Sequence, residues 1–356
     1  FGATDIRERG NSVAFTGSLE VAYRVCLESW VASRVYLELV RFEAADDAAI
    51  HTALKAIDWQ RHIDPTATLA CEWSGRHPAI NNTHYGTLRL KDAICDALRD
   101  TVGLRPDIAT REPGVRVHAH AVGTRVTVSL DLSGEGLHRR GWRGDTGEAP
   151  LRENIAAGIL VRAGWPKLSA EGAAFLDPMC GSGTFAIEAA EIAAGLAPGR
   201  SRGFAFEKLA SFDATAFAAI KAEPAKPLST GLRFYGSDRD SGAIRMAKAN
   251  AERAGVANVI DFGLHGVSEL QRPEGPPGLV MVNPPYGARI GERKLLYAVY
   301  GALGKTLLEG FSGWRVGIVT SDAALAHTTG LPFLPTGAPV SHSGLRITLF
   351  QTAPLP

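Results

Sequence analysis

The sequence has few cysteines, and none of them are spaced to hold a metal ion. Four occur in 356 residues, at Cys26, Cys71, Cys95 and Cys180. No two of them have the spacing of a metal-ligand pair. Scattered single cysteines are typical of proteins kept in a reducing compartment. We therefore expect a cytoplasmic protein that has no metal site.

Long apolar runs and low-complexity tracts are also missing, and no signal peptide is visible in the residues from Phe1 onward. Hydrophobic residues make up 45% of the chain, yet no stretch is long enough to span a bilayer. We expect a globular protein outside the membrane, large enough for two domains. The chain begins at Phe1 rather than at Met, so we expect a short preceding segment.

An excess of charge of either sign is absent as well. Lys and Arg number 38 and Asp and Glu 37, a formal net charge of +1, so global charge does not argue for nucleic acid. One local cluster does, because arginines pair with phosphates and an indole can stack on a base. The alternative is a solvated hinge loop with ordinary surface arginines, which would have the same local sequence. The cluster consists of His138, Arg139, Arg140, Trp142 and Arg143.

The most informative stretch is Asn283-Pro284-Pro285-Tyr286. It follows the apolar run 278–282, which predicts a buried strand, and ligands of open α/β sheets bind at such strand ends. The Asn283 side chain and the Pro284 carbonyl offer two acceptors beside a stiff proline-proline step, and Tyr286 offers a flat face. This combination suits a planar ring with an exocyclic amino group. A simple turn that ends a strand is the alternative.

A glycine-rich loop follows another predicted strand, 173–176, and precedes a helix-like segment, 185–190. Glycines allow close approach of a ligand, and the N–H groups at a helix start point towards it. No lysine follows the last glycine, which excludes a P-loop, and Ala186 replaces the third glycine of a dinucleotide fingerprint. The loop consists of Asp177, Pro178, Met179, Cys180, Gly181, Ser182, Gly183 and Thr184.

An acidic residue ends the next predicted strand, 232–238. Asp238 closes a Gly-x-Asp pattern ahead of a predicted helix, where a carboxylate can accept both hydroxyls of a ribose. Asp240 is explained equally well as a helix N-terminal acid stabilised by the helix dipole. We therefore predict a ligand-binding role for Asp238.

The rest of the chain divides into two patterns. Strands, a helix and a hairpin around Gly123-Thr124 predict an α+β arrangement up to residue 131. Residues 132–150, rich in Gly and Arg, predict an interdomain connection. From residue 173 onward strands and helices alternate, which predicts a doubly wound sheet with a long insertion at 197–231. Within this insertion we expect residues 204–222 to be helical and Pro224–Pro227 not to be helical.

Together the loop, Asp238 and the tetrapeptide resemble class I S-adenosylmethionine-dependent methyltransferases that modify exocyclic amino groups. The segments 87–96, 132–143 and 149–160 are similar to segments of the THUMP-containing ribosomal RNA guanine-N2 methyltransferases. The resemblance covers nearly the whole chain, and its specific motifs lie between Leu132 and Arg289.

The resemblance implies a fold class: an α+β N-terminal ferredoxin-like/THUMP region followed by an α/β Rossmann-like class I methyltransferase domain. The implied boundaries are 1–65 for the ferredoxin-like region, 66–150 for the THUMP RNA-binding domain with its linker, and 151–356 for the methyltransferase domain. It implies S-adenosylmethionine as cofactor and ribosomal RNA, from the large subunit (23S) or its precursor, as partner.

The resemblance also implies three sets of site residues. It assigns catalysis to Asn283, Pro284 and Tyr286. It assigns RNA binding to His138, Arg139, Arg140, Trp142 and Arg143. It assigns cofactor binding to Asp177, Pro178, Met179, Gly181, Ser182, Gly183, Thr184, Asp238, Arg239, His265 and Gly266.

One position departs from the family pattern, and two rival functions remain. Related methyltransferases carry an Asp that contacts the cofactor adenine, but 263–268 holds no acid, so either backbone groups and His265 serve or affinity is weaker. An adenine-N6 DNA methyltransferase is one rival, because the same tetrapeptide serves both amines. The THUMP-like half favours RNA over DNA. The other rival is an RNA-binding protein with an inactive methyltransferase fold.

Overall fold

The computed structural model describes residues 1–144, 151–223, 232–286 and 293–356. The chain divides into two compact units. The first unit is Phe1–Leu137 with Arg202–Glu223, and the second is His138–Ser201 with Pro224–Pro356. In the described ranges no helix is both long and apolar enough to cross a membrane.

Strands and helices are numbered here in chain order. The strands are β1 (Thr4–Arg9), β2 (Ser12–Thr16), β3 (Tyr36–Glu43), β4 (Leu69–Arg76), β5 (Val115–Val122), β6 (Arg125–Asp131), β7 (Phe175–Asp177), β8 (Phe234–Asp238), β9 (Ile260–Leu264), β10 (Leu279–Val282), β11 (Arg315–Thr320), β12 (Val340–His342) and β13 (Leu345–Gln351). The helices are α1 (Leu19–Glu28), α2 (Asp47–Lys55), α3 (Thr83–Val102), α4 (Glu153–Arg162), α5 (Trp165–Ala170), α6 (Thr184–Ala193), α7 (Ala214–Lys221), α8 (Ser241–Ala254), α9 (Arg293–Gly310) and α10 (Ala323–Thr328).

The first unit is built on a four-stranded sheet with the order β3-β6-β5-β4. The hairpin predicted around Gly123 is confirmed, because β5 and β6 pair antiparallel there. Along β5 every second residue is buried, from Val115 to Ala121, as expected for a sheet covered on one face. Strand β3 pairs with β6, so this sheet contains strands from both sides of residue 65.

Helix α3 packs closely on β4 of this sheet. The Asn82 side chain begins the helix by accepting the N–H of Tyr85, and Gly103 ends it in the left-handed region. A Cβ added at Gly86 would lie 2.4 Å from Trp73 Cγ, so only glycine allows the helix to approach the indole this closely.

The segment Arg202–Glu223 belongs to the first unit although methyltransferase-like sequence precedes and follows it. Its aromatic residues pack around Tyr23 of α1, with ring centroids 4.5 Å apart for Tyr23 and Phe206. The sequence predicted helical structure over 204–222, and the structure has a 3₁₀ turn at Ala205–Lys208 followed by α7. The predicted non-helical stretch Pro224–Pro227 lies outside the described residues.

The second unit contains a seven-stranded sheet with the order β12-β13-β11-β10-β7-β8-β9. Five neighbouring strands of this sheet are parallel, namely β11, β10, β7, β8 and β9. Strand β13 is antiparallel to β11, and β12 is antiparallel to β13. From β7 the chain builds outward to β9 and then returns to the other side at β10. The predicted doubly wound sheet is therefore confirmed, and its strand order reverses between β7 and β10.

Both faces of this sheet are covered, as parallel sheets require. All four residues of β10 are buried, and they alternate between two hydrophobic clusters. Leu279 and Met281 lie in a cluster with residues of α4, α6 and α8. Val280 and Val282 lie in a second cluster with residues of α9 and α10.

Candidate active site

The glycine-rich loop begins at the end of β7 with a buried carboxyl group. The side chain of Asp177 is in the core, and its Oδ1 accepts the backbone N–H of Met179 at 3.1 Å. Burial raises the pKa of Asp177 to about 8; the Met179 N–H acts in the opposite direction, and the nearby Asp238 carboxylate adds to the rise. A positive charge placed beside Asp177 would stabilise its ionised form.

Two glycines give the loop its shape. Gly181 and Gly183 have φ values of +52° and +86°, in the left-handed region that favours glycine. At Gly183 an added Cβ would lie 3.2 Å from Ala247 Cβ, so glycine lets the loop pack against α8. At Gly181 an added Cβ would meet nothing within 4 Å. The loop therefore has packed structure on one side and open space on the other, a shape that suits a bound ligand.

Asp238 ends β8, the neighbour of β7, and connects its strand to the loop. Its Oδ2 accepts the N–H of Gly181 at 3.0 Å, and its Oδ1 accepts the N–H of Asp240 at 3.0 Å. Each carboxylate oxygen keeps a further lone pair for a ligand. The Asp240 side chain caps α8 by accepting the N–H of Gly242, as predicted for an acid at a helix N-terminus. Arg239, beside it, is exposed.

Strand β9 pairs with β8, and the segment at its end, residues 263–268, lacks the Asp that contacts the cofactor adenine in related methyltransferases. The N–H of His265 donates to the backbone carbonyl of Asp238 at 3.1 Å, and its ring lies over Gly263. The first acid after this strand is Glu269, whose side chain accepts the N–H of Gly266 at 3.4 Å. The sequence interpretation missed Glu269. Its signal was the three-residue spacing of a capping box.

The tetrapeptide after β10 contains an unsatisfied buried acceptor. Asn283 Oδ1 is buried and has no hydrogen-bond partner among the described residues. Pro284 is buried, and half-buried Tyr286 packs against both hydrophobic clusters, with burial raising its pKa. Leaving a buried acceptor unpaired costs about 1–3 kcal/mol, so a ligand that donates a hydrogen bond to this atom would recover that energy.

Sheet pairing brings the three predicted pieces to one edge. Strand β10 pairs parallel with β7, which in turn pairs parallel with β8. Asp177, Asp238 and Asn283 therefore all lie at the carboxyl edge of the sheet, where the strand order reverses. This is the place at which doubly wound sheets bind their ligands.

The predicted RNA-binding cluster is for the most part not a surface cluster. Trp142 is 2% exposed and belongs to the hydrophobic core, so its ring is not available to stack on a base. Arg140 is 2% exposed and forms a buried ion pair with Glu188 at 3.3 Å. Arg143 pairs with Glu153 at 2.7 Å, His138 is half-buried, and Arg139 is exposed. The positions of Trp142 and Arg140 correct the prediction that they contact RNA, and give them a structural role.

Cys180 is buried in the loop. Burial, with Asp177 and Asp238 nearby, raises the pKa of its thiol well above the ordinary value. A thiol that resists ionisation is a poor nucleophile, which favours packing as its role.

The strand order, the glycine-rich loop and the acid at the end of β8 define a class I S-adenosylmethionine-dependent methyltransferase fold. The donor set suits this cofactor, because the carboxyl groups of Asp177 and Asp238 can bind an ammonium group and ribose hydroxyls, and the backbone at Gly181 is open to a ligand. A THUMP domain model matches residues 44–131. A family model described as RMKL-like, methyltransferase domain, matches residues 140–331. The chain belongs to this RMKL-like methyltransferase family.

Curated and solved relatives agree with this family. The chain is 41% identical to ribosomal RNA large subunit methyltransferase K/L of Cellvibrio japonicus, over 93% of this chain and 45% of that protein. It therefore spans about half the length of the curated relatives it matches. The crystal structure of SMU.472, described as a methyltransferase in complex with S-adenosylhomocysteine, has a TM-score of 0.87 at 25% identity, with 100% of this chain and 93% of that chain covered. A Listeria monocytogenes protein described as a predicted N6-adenine-specific DNA methylase has a TM-score of 0.86 at 27% identity, with 100% of this chain and 90% of that chain covered.

Proposed function

We propose that this chain transfers a methyl group from S-adenosylmethionine to the N2 amine of a guanine in large-subunit (23S) ribosomal RNA, in the cytoplasm. The observation that carries the proposal is the buried Oδ1 of Asn283, which has no hydrogen-bond partner among the described residues, at the edge of the sheet that holds the glycine-rich loop. The name of the Cellvibrio relative, ribosomal RNA large subunit methyltransferase K/L, supports a ribosomal RNA substrate. The THUMP match supports RNA as the partner.

The cofactor would be held at the ends of β7, β8 and β9. Asp177 would ionise beside the cofactor's ammonium group, because a neighbouring cation offsets the burial that raises its pKa. Asp238 would accept the ribose hydroxyls while keeping its bond to Gly181. Backbone groups at His265 and Gly266 would face the adenine. The remaining loop and strand-end residues assigned to the cofactor are Pro178, Met179, Ser182, Gly183, Thr184 and Arg239.

The tetrapeptide would hold the target amine. The bound cofactor supplies an electrophilic methyl group on a sulfonium. Asn283 Oδ1 and the Pro284 carbonyl would accept the two N–H bonds of the amine, which aims its lone pair and stabilises the positive charge that develops on nitrogen. Tyr286 would stack on a base turned out of its helix. The methylated amine would then release its extra proton to water, so no general base is required before transfer.

RNA contact is proposed for the exposed member of the 138–143 cluster. The guanidinium of Arg139 is on the surface, where it can pair with a phosphate. His138 and Arg143 are half-buried and would contribute less.

Adenine N6 is the second candidate target, because the Listeria structural relative is described as an adenine methylase. Mass spectrometry of nucleosides from the ribosomal RNA of a deletion strain separates the two. Loss of N2-methylguanosine supports the proposal, and loss of N6-methyladenosine supports the rival. Unchanged nucleosides would favour the inactive fold.

A further inference from the structure

Asn250 of α8 is a buried amide that touches the glycine-rich loop without belonging to any predicted site. Its side chain is 1% exposed. Its Nδ2 donates to the backbone carbonyl of Ser182 at 2.9 Å. Its Oδ1 accepts the N–H of Gly144 at 3.2 Å and also a bond from the Arg253 guanidinium. Both ends of the amide are therefore used, and they join the loop to the segment that precedes the catalytic sheet.

A second side chain connects the same two parts of the chain. The Arg143 guanidinium donates to Thr184 Oγ1 at 2.8 Å and to the carbonyl of Leu151 at 3.1 Å. It also forms the ion pair with Glu153. Next to it, Arg253 Nε donates to the carbonyl of Trp142 at 2.7 Å. The segment from Trp142 to Gly144 is thus fixed to the loop at Ser182 and at Thr184.

These two residues flank Gly183, where the loop turns into α6. A glycine in the left-handed region adds no side chain that could hold the turn, so the turn depends on bonds made by its neighbours. Within the turn, the N–H of Gly183 donates to the carbonyl of Cys180 at 2.8 Å. The Asn250 amide is the side-chain donor that fixes the other end of the same peptide unit, at the Ser182 carbonyl.

We propose that Asn250 is a positioning residue, which holds the Ser182 carbonyl and hence the start of α6 in the geometry that receives the cofactor. This rests on the proposed function, because it assigns the loop to S-adenosylmethionine. The residue acts through the loop and does not touch the reacting atoms.

The variant Asn250→Asp tests this role, since it keeps the size of the side chain and its acceptor for Gly144 and Arg253. It replaces the donor at Ser182 with a second oxygen. By calorimetry with the purified chain, we expect the dissociation constant for S-adenosylhomocysteine to rise about tenfold, the effect of leaving one partly buried carbonyl unpaired. The KM for S-adenosylmethionine should rise by a similar factor, while kcat at saturating cofactor changes less than about threefold.

Two further variants make the result decisive. Asn258→Asp makes the same chemical change at an exposed position and should leave the dissociation constant unchanged. If Asn250→Asp fails to fold, Arg143→Lys is the substitute test of the link between the loop and the preceding segment. It keeps a cation near Glu153 but shortens the reach to Thr184, and should weaken cofactor binding a few-fold.

Equal dissociation constants in the unaltered chain, in Asn250→Asp and in Arg143→Lys would overturn the role of Asn250. The proposed methyltransferase function would be unaffected by that result. A fall in kcat and in melting temperature with an unaltered dissociation constant, which is the signature of a merely structural residue, would also overturn that role. Absence of binding by the unaltered chain would overturn both proposals.

Discussion

Asp238 Oδ2 accepts the backbone N–H of Gly181 at 3.0 Å, and this bond joins the end of β8 to the loop that follows β7. One carboxylate therefore both shapes the loop and faces the place proposed for the ribose. Loop geometry and cofactor affinity should depend on it together.

Replacing Asp238 with Asn should weaken binding of S-adenosylhomocysteine by about tenfold or more, because hydrogen bonds to a charged acceptor contribute about 1.5–3 kcal/mol. Calorimetry measures this directly. The matched control is Asp240→Asn, since Asn also caps helices well and the control removes the same charge two residues away. If both variants bind like the unaltered chain, Asp238 is not a ribose ligand.

Asn283→Ala should lower the rate of methyl transfer at least about 100-fold, the usual effect of removing a group that stabilises transition-state charge. Binding of RNA and of S-adenosylhomocysteine should stay close to normal, because the residue acts on the reacting amine. Single-turnover assays with labelled cofactor measure the rate. Turnover at the unaltered rate would remove Asn283 from the mechanism.

Cofactor binding should depend on pH through Asp177. The folded-state pKa of about 8 lies above the ordinary 3.8, so the carboxyl is protonated at neutral pH in the free chain. Binding an ammonium group requires the ionised form, so affinity should rise with pH up to about 8, by at most about tenfold per pH unit. Asp177→Asn should flatten this profile. A pH-independent affinity in the unaltered chain would contradict the assignment.

The raised pKa of Asp177 also makes the free energy of unfolding depend on pH. A raised pKa stabilises the fold below the unfolded pKa, and this contribution is lost as pH rises through about 8. Part of the fall in the free energy of unfolding between about pH 4 and pH 8 should therefore disappear in Asp177→Asn, as measured by urea unfolding. An identical fall in both proteins would exclude Asp177 as its source.

The neighbours Arg139 and Arg140 should behave differently. Arg140→Ala leaves Glu188 as an uncompensated buried acid and should destabilise the chain by about 3–5 kcal/mol. Arg139→Ala, at an exposed position, should weaken RNA binding, with a smaller dependence of affinity on salt. Urea unfolding and RNA titrations at two salt concentrations separate them. A stable Arg140→Ala variant with weakened RNA binding would restore the sequence-based interpretation.

Local pattern predicted much of this fold, because the relevant signals are short. The run before Asn283 is apolar and bounded by prolines, so β10 and its strand-end motif are visible without the structure. The hairpin at Gly123 and the loop at Gly181 are likewise carried by adjacent residues. The sheet then brings Asp177, Asp238 and Asn283 together, as their strand-end positions predicted.

Features that depend on distant partners were not predictable in the same way. Arg140 follows another arginine and has the sequence character of a surface residue, but its partner Glu188 is 48 residues away. Arg202–Glu223 packs with the first unit through Tyr23, a contact that no local pattern indicates. Strand β1 is exposed along its whole length, so it has no hydrophobic alternation to detect.

The central claim is that this chain methylates the N2 amine of guanine with Asn283 as an amine acceptor. The most direct test incubates the purified chain with labelled S-adenosylmethionine and ribosomal RNA from a strain that lacks the enzyme, followed by nucleoside mass spectrometry. We expect labelled N2-methylguanosine with the unaltered chain and almost none with Asn283→Ala. Labelled N6-methyladenosine, or equal product from both proteins, would contradict the claim.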